Sequence, residues 1–504
     1  MSAPMSKKTG DEKFPARVYK DTVLAPLFEG VKRHHWRYQM EINLASAVLL
    51  AECGLLTNEE ANVILKALDD IVKTIDLDSL VYTGEHEDFF FYVEAELIHR
   101  LGVEVAGKLH TGRSRNDIDH TVFKLALKDR LATLLTEHAA MIEALQDVAE
   151  RERETIVVAY THGQPAQPTT YGHYLAAFIE LSLRDMDRLL HAAHTVDLSS
   201  MGAAAITTSG FGLDRKRMAE LLGFADVQEN SYGCIAAADY ATGVYAAFKL
   251  LFIHAGRFVQ DLNAWTGFEI GHLHVPDAFV QISSIMPQKR NPVPVEHLRL
   301  MASLGAARCE AVLTAVHNTP FTDMNDSEGE VQIAGYDAFD TGHRMMTLLG
   351  GLLAAVRIDS VKVRRHIDEA GITLAELADS LVRTEAISFR QAHEVASKLA
   401  RHMIDGGMTL SRVPFTKFEE IFVAAIGRPA HLSEADFRRF ITPEHFIAVR
   451  TMPGGPAPAP LAASFRRYRA EIADKRKTID AFAARKRAAE TLLAREVTRR
   501  IAGA

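Results

Sequence analysis

The chain has 504 residues, of which 48% are hydrophobic and 24% are charged, and its formal net charge is −8. A chain of this length exceeds what one hydrophobic core accommodates, so several domains are expected. The acidic balance argues against a nucleic-acid partner, which would require a basic face. No uninterrupted apolar run is long enough for a membrane span, so no membrane partner is predicted.

The three cysteines, Cys53, Cys234 and Cys309, are widely separated, and each lies in an apolar helical context. This spacing fits neither a disulfide framework nor a metal site, so they are predicted to be buried thiols in a reducing compartment. Residues 1–20 are polar and predict a loose arm without the apolar core of a signal peptide. Together these features predict a cytoplasmic location.

Apolar residues recur at helical spacing along most of the chain, with little of the alternation typical of strands. Helices are predicted from Trp36 to Gly54, from Ala61 to Ile75 after a cap at Thr57, and from Tyr240 to Thr266. The fold class is therefore predicted to be all-α. Because the long apolar helices carry few charges, they must bury most of their surface, which predicts a large bundle with helices shared between subunits.

The first polar segment, L-H-T-G-R-S-R-N-D-I-D-H, occupies residues 109–120. Gly112 permits a turn, and Arg113, Ser114, Arg115 and Asn116 follow it just before an apolar helix. Donor side chains at a helix N-terminus, where backbone N–H groups are also free, are suited to bind a carboxylate. A capping turn with solvated arginines is the alternative, and the segment favours binding because the arginines flank a serine and an asparagine rather than acids.

The second segment, Y-T-H-G-Q-P-A-Q-P-T-T-Y, occupies residues 160–171. Pro165 and Pro168 keep it out of a regular helix until about Thr169. Thr161, His162 and Gln164 are thereby presented just before a long apolar helix. A lone histidine is more often structural, so His162 is of interest because of its polar neighbours.

The third segment, Q-I-S-S-I-M-P-Q-K-R-N-P-V-P-V-E-H, occupies residues 281–297. Its hydroxyls, ammonium and amide could surround a small anion with donors. Pro292 and Pro294 fit the start of a helix, because a proline there removes no hydrogen bond. Glu296 is therefore predicted to lie on the first helical turn. An ordinary surface loop with a charged tip is the alternative for this segment taken alone.

The remaining segments are interpreted as structural. Residues 201–212 form a small, flexible connection whose G-F-G is no dinucleotide fingerprint, because no strand precedes it. The acidic stretch with Asp323, Asp326, Glu328 and Glu330 is predicted to be a solvated turn. The alternating charges of the basic helix from Phe465 to Arg500 predict a solvated face.

The three polar segments, in this order, resemble the fumarase/aspartase superfamily and, within it, the argininosuccinate lyase branch. The motifs that carry the resemblance are H-T-G-R-S-R-N-D (110–117), T-H-G-Q-P-A-Q-P (161–168) and S-S-I-M-P-Q-K-R-N-P (283–292). Two supporting segments are G-F-G-L-D-R (210–215) and L-A-E-L-A-D-S-L-V-R-T-E-A-I-S-F-R-Q-A-H (374–393). The likeness extends from about Trp36 to about Ala459.

The resemblance implies a three-domain helical subunit, with boundaries expected at 1–112, 113–365 and 366–504. The central helices of such subunits join into a twenty-helix core in a homotetramer. Each active site collects the three loops from three different chains. The resemblance implies no cofactor and no metal.

The resemblance also implies elimination of an amine or hydroxyl from a succinyl group, which releases fumarate. It assigns the base to Ser283, acting as an alkoxide whose pKa is lowered by Lys289 and by loop N–H groups. His162 is implied to contact the substrate or transfer a proton, paired with Glu296 of a neighbouring chain, and Thr161 completes the catalytic set. The implied substrate-binding residues are Arg113, Ser114, Arg115, Asn116, Gln164, Ser284, Met286 and Asn291.

Departures from argininosuccinate lyases are concentrated where those enzymes hold the amine. The opening W-G-G-R-F has no counterpart, D-I-x-G-S-x-A-H is replaced by residues 39–46, E-D-I-H by residues 87–90, and S-D-R-D by residues 236–239. The positions of a ligand-binding tyrosine and lysine hold Asp323 and Val331, and a glycine before the serine pair is Ile282. Each lost charged hydrogen bond weakens binding by about 1.5–3 kcal/mol.

The sequence therefore predicts a carbon–nitrogen lyase that acts on an N-substituted aspartate, a small dicarboxylate. The leaving amine is that of argininosuccinate or of an aminopolycarboxylate such as ethylenediamine-disuccinate. Argininosuccinate lyase proper is one alternative, and adenylosuccinate lyase chemistry is a weaker one. A non-catalytic, crystallin-like structural protein is an alternative of another class, disfavoured because Asn116, Thr161, His162, Ser283 and Lys289 are all present.

Overall fold

The computed structural model describes residues 14–503. The chain is helical from Arg17, so the predicted loose arm is wrong for residues 17–20, while residues 1–13 of that prediction lie outside the described range. The N-terminal elements are α1 Arg17–Tyr19, a π-helical turn Lys20–Leu24, α2 Ala25–His34, α3 Trp36–Glu52, α4 Asn58–Thr74, α5 Phe89–Leu101, α6 Val103–Ala106 and a 3-10 turn Gly107–His110. The predicted Thr57 cap is confirmed, because Thr57 and Glu60 form a capping box before α4.

Five long helices form the centre of the molecule, with two short helices between the second and third. In chain order they are α7 Arg115–Arg151, α8 Tyr171–Val196, α9 Arg215–Leu222, α10 Gly233–Ala236, α11 Asp239–Thr266, α12 Val293–Val316 and α13 Gly329–Ala355. The predicted helix from Tyr240 to Thr266 is confirmed by α11, and Glu296 lies in the first turn of α12 as predicted.

Consecutive long helices run in opposite directions. Side-chain contacts that show this are Lys128 with Asp197, Tyr174 with Trp265, Lys249 with Glu310 and Arg308 with Asp337. The start of α7, the end of α8 and the starts of α11 and α13 therefore share one end of the bundle, called here the Ser114 end. The end of α7 and the starts of α8 and α12 share the opposite end, called here the Ser283 end.

The strands are short and form two-stranded pairs. They are β1 Ile156–Thr161 with β2 Gln164–Thr170, β3 Leu198–Ser199 with β4 Asp226–Val227, β5 Leu273–His274 with β8 Arg357–Ile358, and β6 Gln281–Ile282 with β7 Arg290–Asn291. A further 3-10 turn covers Asp277–Phe279 and another covers Asn325–Ser327. The predicted all-α class is confirmed, and the hairpin β1–β2 is an addition that the sequence did not predict.

Smaller helices follow the bundle and build a second core. They are α14 Ser360–Ala370, α15 Leu374–Glu385, α16 Phe389–Gly406, a 3-10 turn Leu410–Arg412, α17 Phe415–Ile426, α18 Glu434–Phe440, α19 Pro443–Ala448 and α20 Pro458–Ala502. Leu381, Leu399, Phe418 and Phe437 are among the buried residues of this second core. Helix α20 instead places Phe465 in the main core. The domain boundaries at 1–112, 113–365 and 366–504 stay a prediction.

The charged face of α20 is solvated over most of its length, as predicted, but the prediction is wrong for two of its lysines. Lys475 and Lys486 are 9% and 6% exposed. Lys475 pairs with Asp187 of α8, and Lys486 pairs with Glu41 of α3. Arg469 and Arg476 add ion pairs to acids of α7. These pairs attach the C-terminal helix to the bundle.

The cysteine prediction is partly corrected. All three cysteines are free, and Cys234 and Cys309 are buried, but Cys53 is partly exposed. One helical stretch in the described part of the chain, Gly233–Thr266, is apolar and long enough to cross a membrane by composition, and half of its apolar window is buried. Its α11 portion packs between α8 and α12, as a core helix of a bundle does.

Candidate active site

The start of α7 is fixed by a buried carboxylate. The Ser114 N–H donates to Asp117 Oδ1 at 2.8 Å, and Ser114 Oγ donates to Asn116 Oδ1 at 2.7 Å. The other oxygen of Asp117 accepts the N–H groups of Gly202 and Ala204 at 2.9 and 3.1 Å. The helix start is thereby held against the 201–204 connection, with donors at a helix N-terminus where a carboxylate binds well.

Arg115 faces two acids. Its Nη1 donates to Glu87 Oε1 at 2.9 Å and to Asp88 Oδ2 at 2.7 Å. Partial burial acts to lower the pKa of Arg115, but these hydrogen bonds outweigh it and raise the pKa above its ordinary value. The local sequence around Arg115 does not reveal these acids, because Glu87 and Asp88 precede it by 28 and 27 residues. A bound carboxylate would replace or join them.

Arg113 is turned toward α3. Its Nη1 donates to Asn43 Oδ1 at 2.7 Å and to Ser46 Oγ at 3.2 Å. Burial lowers the pKa of Arg113 to about 10. Arg113 therefore braces the segment against α3, and its predicted contact with substrate stays a prediction.

The second polar segment forms the tip of the hairpin β1–β2. Thr161 pairs with Gln164, and His162 and Gly163 between them have φ of 53° and 72°. Two consecutive positive φ values are typical of the tight two-residue hairpin turn. Thr161, His162 and Gln164 are exposed, and within residues 14–503 their side chains make no hydrogen bond. The turn presents them outward from the Ser283 end.

The third polar segment is also a hairpin loop, between β6 and β7. Ser283 Oγ accepts the N–H groups of Met286 at 3.1 Å and Ile285 at 3.4 Å. Lys289 closes the loop through its N–H, which donates to the Met286 carbonyl at 3.0 Å. Two N–H dipoles aimed at one hydroxyl oxygen stabilise negative charge on it. The same contacts are typical of an ordinary serine turn, so the role of Ser283 as a base stays a prediction.

Several predicted residues near Ser283 have free side chains. Among the described residues, Ser284, Lys289 and Asn291 have no side-chain hydrogen bond, and Glu296 is exposed without an ion pair. Ile282 and Ile285 are each 83% exposed. A loop that exposes large apolar side chains next to free donors is suited to be covered by another surface.

One protomer does not bring the three segments together. Ser114 lies at the start of α7, whereas the loops of the β1–β2 and β6–β7 hairpins lie at the Ser283 end of the bundle. Helix α7 has 37 residues, so the ends are separated by about 55 Å. A site that uses all three segments must therefore draw them from more than one protomer.

The acidic stretch before α13 is folded inward, which corrects the predicted solvated turn for two of its residues. Asp326 and Glu330 are exposed, but one ligating atom each of Asp323, Glu328 and buried His120 lie within 4.8 Å of one another. Burial, with Asp88 and Asp323 nearby, raises the pKa of the adjacent Asp119 to about 8. Burial, with Asp119 and Asp323, also raises the pKa of Glu328 well above its ordinary value.

The sequence contained a signal for this cluster. Asp119 and His120 follow Arg115 and Asn116 by four residues, so they lie one turn further on the same face of α7. Val331, which stands at the position of a family ligand-binding lysine, is instead 7% exposed in the apolar core.

Comparisons with known proteins place the chain in a family. The profile of the lyase family matches residues 28–304, and that of the argininosuccinate lyase C-terminal region matches residues 372–448. Argininosuccinate lyase 2 of Agrobacterium fabrum is 53% identical over 466 residues, with 92% of each chain covered. Argininosuccinate lyase 1 of Shouchella clausii is 30% identical over 465 residues, covering 92% of this chain and 93% of that one.

Solved structures agree with the sequence relatives. An EDDS lyase variant with bound fumarate superposes with a TM-score of 0.85 at 27% identity, covering 95% of this chain and 96% of that one. The class II fumarase of Schistosoma mansoni, at 16% identity and a TM-score of 0.66 over 82% of this chain and 94% of that one, shares the fold. The chain therefore belongs to the argininosuccinate lyase branch of the fumarase/aspartase superfamily and is a fumarate-releasing carbon–nitrogen lyase.

Proposed function

We propose that the chain eliminates an amine from an N-substituted aspartate by anti elimination with a serine base. The observation that carries this proposal is Ser283 Oγ, which accepts two backbone N–H groups at 3.1 and 3.4 Å. The name of the Agrobacterium relative favours argininosuccinate as substrate, and the EDDS lyase neighbour favours an aminopolycarboxylate.

In the proposed reaction, the Ser283 alkoxide removes the proton from the carbon next to the distal carboxylate. The electron pair enters that carboxylate, which becomes a doubly charged aci-carboxylate, and then forms the carbon–carbon double bond as the C–N bond breaks. Lys289 and Asn291 face the developing charge, where preorganised donors lower the barrier most. The nitrogen leaves with the electron pair of the broken bond and takes up a proton.

The remaining predicted residues position the substrate. Ser114, Arg115 and Asn116 hold one carboxylate at the helix N-terminus, and Thr161 and Gln164 hold the other from the hairpin turn. His162, paired with Glu296 of another protomer, contacts the substrate or transfers a proton. Arg113 holds the segment that contains Ser114 against α3, and Ser284 and Met286 complete the loop around the base.

A homotetramer with a twenty-helix core is part of this proposal. The separation of the three segments within one protomer supports it. The outer faces of α11 and α12 also support it, because Leu250, Ile253, Leu300 and Leu304 are 38–53% exposed. Apolar stripes of this kind on adjacent long helices are suited to pack against a second copy. A cytoplasmic location goes with the small soluble substrate.

The test is fumarate release, followed by absorbance, from a panel that includes argininosuccinate and ethylenediamine-disuccinate. Ser283→Ala should reduce kcat at least about a hundredfold, the size typical of a missing general base. Ser360→Ala is the matched control, because Ser360 is exposed and makes no side-chain hydrogen bond in the described chain. Full activity of Ser283→Ala would overturn the mechanism, and no turnover of any succinyl amine would favour the structural, crystallin-like alternative.

A further inference from the structure

The start of α7, which is proposed to hold the substrate, is followed immediately by a group of acidic side chains around His120, called here the acidic pocket. Arg115 and Asn116 belong to the proposed carboxylate clamp, and Asp119 and His120 lie about 5–6 Å further along the same helix face. Asp323 and Glu328, from the segment before α13, approach His120 within 4.8 Å. A molecule held by its carboxylates at the first turn would therefore present its other end to acids.

Two acceptor atoms in and beside this pocket have no hydrogen-bond partner within the part of the chain that the structure describes. Asp323 Oδ1 is buried and has no hydrogen-bond partner among the described residues. Gln332, which follows Glu328 by one helical turn, is 1% exposed, and its Oε1 also has no partner there. Buried acceptors in native proteins are almost always paired, so these two atoms are free to accept hydrogen bonds from a ligand that carries donors.

The orphaned amide is connected to the acidic cluster through a buried tyrosine. Gln332 Nε2 donates to the Tyr240 hydroxyl at 3.3 Å, and that hydroxyl lies 3.2 Å from His120 Nδ1. His120 is itself only 3% exposed. Gln332, Tyr240 and His120 are therefore connected by hydrogen bonds, and Asp119, Asp323 and Glu328 supply the charge of the pocket.

We infer that this pocket receives a positively charged group on the amine side of the substrate, so that the chain prefers N-substituted aspartates whose amine carries a second cation and no carboxylate. The inference rests on the proposed function and specifies its substrate class. A carboxylate at this end would meet Asp323 and Glu328 and would find buried, apolar Val331 in place of a lysine.

The state of the acids favours an ammonium or guanidinium group over a divalent metal ion. The charged groups that face the pocket are Arg115, Asp88, Asp117, Asp119, Asp323 and Glu328, together with neutral His120 and Tyr240. Burial and the neighbouring acids raise the pKa of Asp119 to about 8 and also raise that of Glu328, so both carboxyls hold their protons to a higher pH than ordinary acids do. A metal ion requires its ligands deprotonated, whereas a monocation that donates several hydrogen bonds fits partly protonated carboxyls.

The test compares amines in the reverse reaction, their addition to fumarate, using the full-length protein. Arginine, agmatine and butylguanidine share a guanidine and chain length, but differ in carrying an ammonium with a carboxylate, an ammonium alone, or neither. Ethane-1,2-diamine and propylamine form a second matched pair. Agmatine should exceed both of its analogues, and the diamine should exceed propylamine, by about tenfold or more in kcat/KM, as expected for a charged hydrogen bond.

Two isosteric variants assign the preference to the pocket. Asp323→Asn and Glu328→Gln should each reduce the diamine-to-propylamine ratio about tenfold. Asp326→Asn, an exposed acid of the same segment, is the control and should leave the ratio unchanged. If a variant fails to fold, the preference of the unaltered protein among the matched amines still tests whether a second cation is favoured.

The outcomes separate this inference from the proposed function. If no amine adds to fumarate and no N-substituted aspartate releases it, both are overturned. If turnover occurs but kcat/KM for arginine equals that for agmatine, or kcat/KM for propylamine equals that for ethane-1,2-diamine, only the inference is overturned. If zinc or manganese binds with one-ion stoichiometry, is lost in Glu328→Gln, and chelation abolishes turnover, the pocket is a metal site and the inference is likewise overturned.

Discussion

Ser114 and Asp117 are joined across the first turn of α7 by a 2.8 Å hydrogen bond from backbone to carboxylate. Because Asp117 also accepts N–H groups from Gly202 and Ala204, a single buried side chain joins the proposed carboxylate clamp to the 201–204 connection. The clamp therefore depends on a residue that need not touch the substrate.

Removing that carboxylate should destabilise the fold and weaken substrate binding. Asp117→Ala leaves three N–H groups without their acceptor, and each unsatisfied buried group costs about 1–3 kcal/mol. We expect the free energy of unfolding in urea to fall by at least about 2 kcal/mol and KM to rise. Asp69→Ala, which removes an exposed ion pair with Lys73 on α4, should change stability by less than about 0.5 kcal/mol. An equal loss in the free energy of unfolding from the two substitutions would contradict the proposal that Asp117 holds the carboxylate clamp in place.

The hairpin turn at His162 and Gly163 offers a test of backbone geometry alone. Gly163 has φ of 72° and an added Cβ would meet nothing within 4 Å, so Gly163→Ala introduces conformational strain without a clash. The strain should cost about 1–2 kcal/mol and displace Thr161 and His162, which lowers kcat. Gly107→Ala is the control, since its φ is −63° and its surroundings are equally open. Unchanged kcat in Gly163→Ala would remove the turn from the catalytic apparatus.

Local patterns predicted the elements, but contacts between distant segments were beyond them. Thr57 and Glu60 identify a helix start because a capping box is a local hydrogen-bond pattern, and the same holds for Glu296 after two prolines. Arg115 and Glu87 meet only because the segment before α5 lies beside the start of α7, which spacing does not reveal. Glu328 has a polar sequence context but becomes partly buried beside Asp119 of α7, and Lys486 is buried beside Glu41 of α3.

Sharing of the site between protomers can be measured by mixing inactive variants. Asn116→Leu and Ser283→Ala alter opposite ends of the bundle. If each site takes these residues from different protomers, random reassembly of equal amounts leaves about a quarter of the sites intact. Activity should therefore reappear after the two proteins are dissociated together and reassembled.

The matched control mixes Ser283→Ala with Lys289→Met. Both residues lie on the single loop between β6 and β7, so they always come from one protomer and no intact site can form. Recovery in the first mixture and none in the second is the expected result. Absence of recovery in the first, with reassembly shown by sedimentation, would place all contributing residues on one chain.

The acidic pocket should reduce stability as the pH rises, and Glu328→Gln should relieve this. A carboxyl whose pKa is higher in the folded than in the unfolded chain holds more protons when folded. The free energy of unfolding therefore falls as pH increases from the ordinary carboxyl range toward about 8, the pKa of Asp119. Without the Glu328 charge, repulsion from Asp119 and Asp323 decreases, so the variant should be more stable than the parent at pH 8 and nearly equal to it at pH 4.

Urea unfolding at the two pH values measures this, with Glu330→Gln, an exposed acid on α13, as the control. A Glu328→Gln variant that is less stable than the parent at pH 8 would show that the Glu328 carboxylate is satisfied within the protein, and the pocket would then have no need of a cation.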